Sequence, residues 1–161
     1  VVHQVYLSLG SNMGDRIQQL KSAQMYLQMH KAIKIIHSSS YYQTSPVGGV
    51  VQDDFINQVL LIETSLSAYC LLDYIHEIEA KLHRERIVRW GPRTVDIDIL
   101  FFDHKNQEDP KLILPHPQIF NRLFVLIPLR EIMQDDFYQK DAVLDAIELL
   151  EAQGQQKIER V

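Results

Sequence analysis

Cysteine is almost absent from this sequence: Cys70 is the only one in 161 residues. One thiol excludes an internal disulfide and a cysteine-rich metal site. Its neighbours in "YCLLDYI" predict a buried core thiol rather than a reactive one. Long hydrophobic runs are also missing. None approaches the ~18 apolar residues of a membrane span, and the first residues lack a signal-peptide pattern, so a cytoplasmic protein with no membrane partner is expected. A basic excess is lacking too: Lys+Arg number 16 against 21 Asp+Glu, a formal net charge of −5. That balance argues against nucleic acid as a partner, while leaving room for a local arginine cluster. Finally, neither G-x-x-x-x-G-K-S/T nor G-x-G-x-x-G occurs, which argues against a phosphate-loop NTPase or a dinucleotide-binding fold.

What is present is a globular composition, 46% hydrophobic and 23% charged, in a length that fits one domain spanning 1–161. "HQVYLSLG" (3–10) reads as a strand ending at Gly10, and the pattern of Ile17, Leu20 and Leu27 predicts a helix over about 15–29. "AIKIIHSSSYYQT" (32–44) reads as a second strand, "SPVGGVVQDD" (45–54) as a loop and "FINQVLLIET" (55–64) as a third strand. Ser65 or Ser67 can cap a helix over 67–83, where Leu71, Ile75, Ile78 and Leu82 form an apolar stripe. An arginine-rich loop (84–94) leads to a strand, "VDIDILFF" (95–102). Beyond it "DHKNQEDP" reads as a turn, "KLILP" as a short strand and "HPQIFNR" as a loop or single helical turn. Residues 123–132 form an apolar helical stretch interrupted at Pro128, and 141–153 a last amphipathic helix before a polar tail. The order through residue 102 is β-α-β-β-α-β. It predicts an α+β fold with a ferredoxin-like core: one antiparallel sheet, two helices on one face, and a C-terminal α/β extension.

The segment "RWGPRTVDIDIL" (89–100) carries the chemistry. On a strand, Asp96 and Asp98 point the same way with Cα atoms roughly 6–7 Å apart. One reading is a strand face turned to water. Leu100 and Phe102 fall on that same face by strict alternation, however, so a face buried at one end and doubly anionic at the other also suggests a cleft. Two carboxylates at this spacing suit Mg²⁺, which binds through one or two carboxylates plus substrate phosphates. Arg84, Arg86, Arg89 and Arg93 lie within ten residues just before them. They read either as a solvated basic loop or as guanidiniums gathered for a polyanion such as a triphosphate. His116 and Arg122 in "LPHPQIFNRLF" add two phosphate-reaching groups, and Gly10 in "GSNMGDR" stands where a backbone can approach a ligand closely.

In order, "GSNMGDR", "YQTSPVG", "DFIN", "RWGPRTVDIDIL" and "LPHPQIFNRLFVLIPL" resemble the 6-hydroxymethyl-7,8-dihydropterin pyrophosphokinase family over about residues 5–130; the last 30 residues add little. The resemblance implies a transferase that moves the β,γ-diphosphate of ATP onto a pterin alcohol in folate biosynthesis and releases AMP. By that resemblance Asp96 and Asp98 hold two Mg²⁺ ions, and Arg84, Arg86 and Arg93 grip the triphosphate, with Arg84 and Arg93 counted as catalytic alongside the aspartates. Glu79, His116 and Arg122 fall on ATP-binding positions. Thr44, Ser45, Pro46, Val47, Phe55, Asn57, Trp90 and Phe124 fall on the pterin site, Phe55 and Phe124 stacking on the ring and Asn57 bonding its edge. Phe55 stands where some members have tyrosine, Lys111 and Ile113 where some offer arginine and threonine to the nucleotide, and His83 where glycine is common. The partners implied are ATP and the hydroxymethyl-dihydropterin, with a monomer as the default.

Two other function classes fit a ferredoxin-like core. A palm-type nucleotidyl transferase would share the aspartate pair, but the acidic charge and the Phe55/Phe124 pair speak against a polymer substrate. A non-catalytic binding module would need neither the dense arginine loop nor metal-spaced carboxylates.

Overall fold

The structure is a computed structural model that describes residues 1–44, 54–85 and 95–161, and at 84 and 85 the backbone alone. Strand β1 (His3–Ser11) leads into helix α1 (Arg16–Met29), followed by β2 (Ile33–Ser38), β3 (Tyr42–Thr44), β4 (Phe55–Thr64) and α2 (Ala68–Glu85). Then come β5 (Asp96–Phe102), β6 (Gln107–Asp109), β7 (Leu112–Leu114), a 3-10 turn (Ile119–Asn121), α3 (Leu123–Ile132), α4 (Lys140–Gln153) and β8 (Ile158–Arg160). Local chemistry starts and stops the helices. The Asp15 carboxylate accepts the Gln18 N–H at 3.1 Å, and of the two candidate caps for α2 it is Ser67 whose hydroxyl accepts the Cys70 N–H, at 3.2 Å. α4 ends at Gly154, whose φ of 66° is the left-handed conformation a terminating glycine supplies.

The main sheet runs β5-β1-β4-β3-β8, with β2 also paired to β4, and its recorded pairings are antiparallel. β2 covers the Leu60–Thr64 end of β4 and β3 the Phe55–Asn57 end. The single strand expected over 32–44 is therefore two. Serines break it: the Ser39 hydroxyl accepts the Val59 N–H at 2.9 Å, and the Ser40 N–H and hydroxyl both turn to Glu131. Two further strands replace expected irregular segments. β6 lies in the "turn" at 103–110 and pairs with β7, and β8 forms from the polar tail by pairing with β3.

Helices cover the sheet on both faces: the two expected helices share one, and the C-terminal extension adds two on the other. Val5, Leu7 and Leu9 of β1 with Leu60 and Ile62 of β4 pack on Leu20 and Leu27 of α1 and on Leu71, Ile75, Ile78 and Leu82 of α2. Tyr6, Val59 and Leu61 from the opposite face join Leu126 and Leu129 of α3 and Val143 and Ile147 of α4. The C-terminal extension is this second layer, and it explains why β4 is apolar on both sides. α3 runs through Pro128 without the expected interruption; a proline removes one helix hydrogen bond, and burial of Leu126, Pro128 and Leu129 holds the helix together around it. Cys70 is exposed rather than buried, because it lies outside the Leu71–Ile75–Ile78–Leu82 stripe that α2 turns to the sheet.

β5 breaks its alternation. Leu7 pairs with Ile99 but Tyr6 with Phe101, so Leu100 is an extra residue in a β-bulge. Ile97 and Ile99 face α1 and α2, Leu100 and Phe101 both face α3 and α4, and Phe102 returns to the first face. The expectation that Phe102 shares a face with the two aspartates is thus corrected: Phe101 takes that place.

Glu131, near the end of α3, ties the second layer to the sheet edge. It accepts from the Tyr42 hydroxyl at 2.7 Å and from Ser40, and lies 4.0 Å from Arg160 of β8. Burial together with the Glu131 carboxylate pushes the Tyr42 phenol up to about 12. Burial also acts to raise the Glu131 carboxyl, but the bonds from Tyr42 and Ser40 and the Arg160 charge outweigh it and leave it below its ordinary 4.5. A carboxyl held lower in the folded chain contributes stability above its unfolded value and loses it as pH falls through the folded one. Wild type is therefore expected to melt above Glu131→Gln at neutral pH, with the gap closing below pH 4.5. Paired thermal melts down to roughly pH 3 check this; a gap independent of pH would contradict it.

Candidate active site

Alternation along four adjacent strands brings the predicted residues onto the face of α3 and α4, beyond the end of that helical layer. Ser8 and Gly10 of β1 pair with Asp98 and Asp96 of β5 on one side and with Val59 and Asn57 of β4 on the other. Thr44 of β3 pairs with Phe55 of β4. Above them the 3-10 turn and the start of α3 supply Asn121, Arg122 and Phe124. All of these except the buried Val59 wall a first cleft of about 620 Å³, with Gln118, Gln155 and Gln156 completing its rim.

Its polar centre is Asn57, 4% exposed, whose Nδ2 donates to the Thr44 hydroxyl at 2.9 Å. That bond fixes the amide orientation. Gly10 makes room for it, since a Cβ at position 10 would meet Asn57 Oδ1 at 3.0 Å. Phe55 and Phe124 add apolar wall, and the Arg122 guanidinium lies 5.5 Å from the Phe124 ring centroid. A buried amide between aromatic walls suits a flat ring with a hydrogen-bonding edge.

A second cleft, of about 490 Å³, opens on the other side of the same aspartates. Asp96, Asp98 and Arg122 line both clefts; Leu72, His76 and Glu79 of α2, Lys111, Ile113 and His116 line the second alone. β5 ends the sheet order, and two contacts brace its outer edge. Glu79, 9% exposed, accepts the Ile97 N–H at 2.9 Å, between the two aspartates. The His116 N–H donates to the Leu100 carbonyl at 3.0 Å. His116 Nδ1 accepts the Gln118 N–H at 3.1 Å, which leaves Nε2 to carry the ring proton. Burial pulls the His116 imidazole below its ordinary 6.5; Asp98 opposes this and Arg122 reinforces it. A neutral donor, Arg122 and Lys111 around two carboxylates suit a phosphate chain carrying a hard cation.

The donor chemistry fits Mg²⁺. Among the described residues no cluster of three or more His, Cys, Asp or Glu could hold an ion alone. A carboxylate pair open to two clefts matches a metal that completes its shell with water and phosphate oxygens.

The structure thus brings together Thr44, Phe55, Asn57, Asp96, Asp98, Arg122 and Phe124 in one cleft, and Glu79 and His116 with the same aspartates in the other. Ser45, Pro46, Val47, Arg86, Trp90 and Arg93 lie outside the described residues, as does the Arg84 side chain. Missed by the sequence reading were Leu72 and His76, although with Glu79 they recur at i, i+4 and i+7, a stripe one residue off the buried one. Gln155 and Gln156 gave no signal in a polar tail.

Comparison with known proteins points to one family. The profile of the 7,8-dihydro-6-hydroxymethylpterin-pyrophosphokinase family matches residues 6–134. The 2-amino-4-hydroxy-6-hydroxymethyldihydropteridine pyrophosphokinase of Bacillus subtilis is 49% identical over 129 residues, 80% of this chain and 77% of that protein. Its namesake from Methylorubrum extorquens is 39% identical over 154 residues, 96% of this chain and 98% of that protein. The bifunctional protein FolKE of Lactococcus lactis is 47% identical over 151 residues, 94% of this chain, but the chain spans only 43% of that protein's length. Among solved structures, a Plasmodium falciparum HPPK-DHPS crystal structure superposes with a TM-score of 0.72 at 16% identity, over 99% of this chain and 48% of the other, a likeness of fold.

Proposed function

The chain belongs to the 7,8-dihydro-6-hydroxymethylpterin-pyrophosphokinase family, and on that premise we propose that it transfers the β,γ-diphosphate of ATP to the hydroxymethyl group of 6-hydroxymethyl-7,8-dihydropterin in folate biosynthesis. One observation carries the proposal. Two clefts of different chemistry, one aromatic around a buried amide and one ringed by phosphate-seeking groups, meet at Asp96, Asp98 and Arg122. A transfer between two bound substrates needs that shared boundary.

In this reading the pterin lies in the first cleft. Asn57 bonds its edge, Phe55 and Phe124 flank the ring, and Thr44, Ser45, Pro46, Val47 and Trp90 complete the pocket. ATP lies in the second cleft, with Glu79, His116 and Arg122 beside it and Arg84, Arg86 and Arg93 on its phosphates. Asp96 and Asp98 would hold two Mg²⁺ ions, which would neutralise phosphate charge and lower the pKa of the alcohol. The hydroxymethyl oxygen bonds to the β-phosphorus as the link from that phosphorus to the α–β bridging oxygen breaks. AMP departs, and the hydroxyl proton passes to water. Orientation of both substrates and cationic side chains on the shifting charge carry the rate, with Arg84 and Arg93 acting on the transferred group.

The ferredoxin-like reading of the core is supported by the order β5-β1-β4 followed by the β2/β3 edge. We read residues 1–161 as one domain of a cytoplasmic monomer acting on small molecules; the net charge of −5 speaks against a nucleic-acid partner.

Incubation with ATP, Mg²⁺ and the pterin, followed by separation of nucleotide products, tests the function. AMP that forms only with all three present is the expected outcome; ADP or no turnover would overturn the proposal. Gly10→Ala supplies a finer check. The added methyl presses on Asn57 Oδ1, so the KM for pterin is expected to rise by about tenfold with the KM for ATP little changed. An unchanged pterin KM would show that Asn57 does not read the ring.

A further inference from the structure

Beyond α4 the chain turns at Gly154 and runs back to the sheet, where Ile158 pairs opposite Thr44 and the Val161 N–H donates to the Tyr41 carbonyl at 2.9 Å. On the way Gln155 and Gln156 reach the wall of the first cleft. This stretch lies outside residues 6–134, the span the family profile matches.

Both ends of the Gln156 amide are engaged. Oε1 accepts the Leu123 N–H at 2.8 Å, and Nε2 donates to the Asn121 carbonyl at 2.9 Å. Leu123 is the first residue of α3, where backbone N–H groups lack helical partners, and Arg122, at the capping position, offers no side-chain bond. Gln156 therefore supplies, from 33 positions along the chain, what a local cap would otherwise supply. Arg122 sits between its two anchor points, and Phe124 follows directly.

We propose that Gln156 is a positioning residue for the first cleft: by clamping Asn121 and Leu123 it fixes Arg122 and the Phe124 ring, making the C-terminal segment a working part of the substrate wall. The proposal rests on assignment of that cleft to the pterin. The clamp requires an amide. A carboxylate would still accept from Leu123 but would oppose the Asn121 carbonyl, and an alanine would do neither.

The test uses the full chain with Gln156→Ala, Gln156→Glu and, as a control, Lys157→Ala at an exposed neighbour. Steady-state kinetics are combined with pterin titration in the presence of Mg²⁺ and α,β-methylene-ATP, and with hydrogen exchange at the Leu123 amide. Both Gln156 variants are expected to raise the pterin KM and Kd by about tenfold, the worth of one or two hydrogen bonds. The KM for ATP should rise less, by no more than about threefold, because Asn121 and Phe124 line the first cleft alone and of the clamped residues only Arg122 borders both. Leu123 exchange should quicken, and Lys157→Ala should match wild type. Unchanged pterin affinity despite faster Leu123 exchange would overturn the proposal. Equal weakening of both substrates in step with a lower melting temperature would overturn it too, since that is the mark of general destabilisation. Absence of pterin binding by the wild type is a separate failure: it removes the cleft assignment and this inference with it, whatever Leu123 exchange reports.

Discussion

Asp98→Asn is expected to lower AMP formation by about a thousandfold or more while the protein stays folded. Asp98 lines both clefts and is exposed. Its backbone pairs with Ser8 whichever side chain it carries. Asparagine keeps the volume and removes the charge. In the proposed function Asp98 is a metal ligand; neutralising such a ligand at a phosphoryl-transfer site forfeits several kcal/mol of charge stabilisation, and about 4 kcal/mol is a thousandfold in rate. The melting temperature should hold or rise slightly, because one member of a like-charged pair is gone. Product assays and thermal unfolding on the same preparation check both halves. Turnover near the wild-type rate would remove Asp98 from the metal site.

The largest loss of stability is expected from Phe101→Ala. Phe101 is 1% exposed in the core that β5 shares with α3 and α4, and makes edge-on contacts with Phe137 at 5.0 Å and Tyr138 at 6.0 Å, in the link between those helices, and with Tyr6 of β1 at 6.3 Å. Truncating a buried phenylalanine costs about 3–5 kcal/mol. In a domain of this size that lowers the melting temperature by roughly 6–20 °C, a large share of a total stability of about 5–15 kcal/mol. Urea unfolding and a thermal melt measure it. A cost under about 1 kcal/mol would mean that the layer carrying α3 and α4 does not depend on this contact.

The long elements were legible because period and chemistry agreed in them. The Leu71–Ile75–Ile78–Leu82 stripe gave α2, the apolar run at 55–64 gave β4, and "VDIDIL" gave β5 with its two carboxylates on one face. What escaped depended on partners distant in sequence. Nothing local marks Ser39 as the residue that takes the Val59 N–H and splits a strand, nor Leu100 as the bulge that moves Phe102 to the other face. The strand at 158–160 is polar and short, and exists because β3 offers it an edge. Cys70 shows the converse: an apolar neighbourhood in sequence does not bury a residue on the outward side of its helix. At the site, the aspartates, Asn57 and the phenylalanines followed from motif and resemblance. His76, Gln155 and Gln156 did not, because their place depends on which surfaces the fold sets side by side.

The bracing of β5 has a consequence for how copies of this protein meet one another in a crowded solution. A terminal strand is ordinarily a template on which a second chain can add its own backbone. On β5 the Ile97 N–H is already taken by Glu79 and the Leu100 carbonyl by His116, and the same stretch carries the charges of Asp96 and Asp98. The bonds that brace the strand carrying Asp96 and Asp98 also make this edge a poor seed for aggregation, so colloidal resistance and the order of that strand rest on the same few contacts.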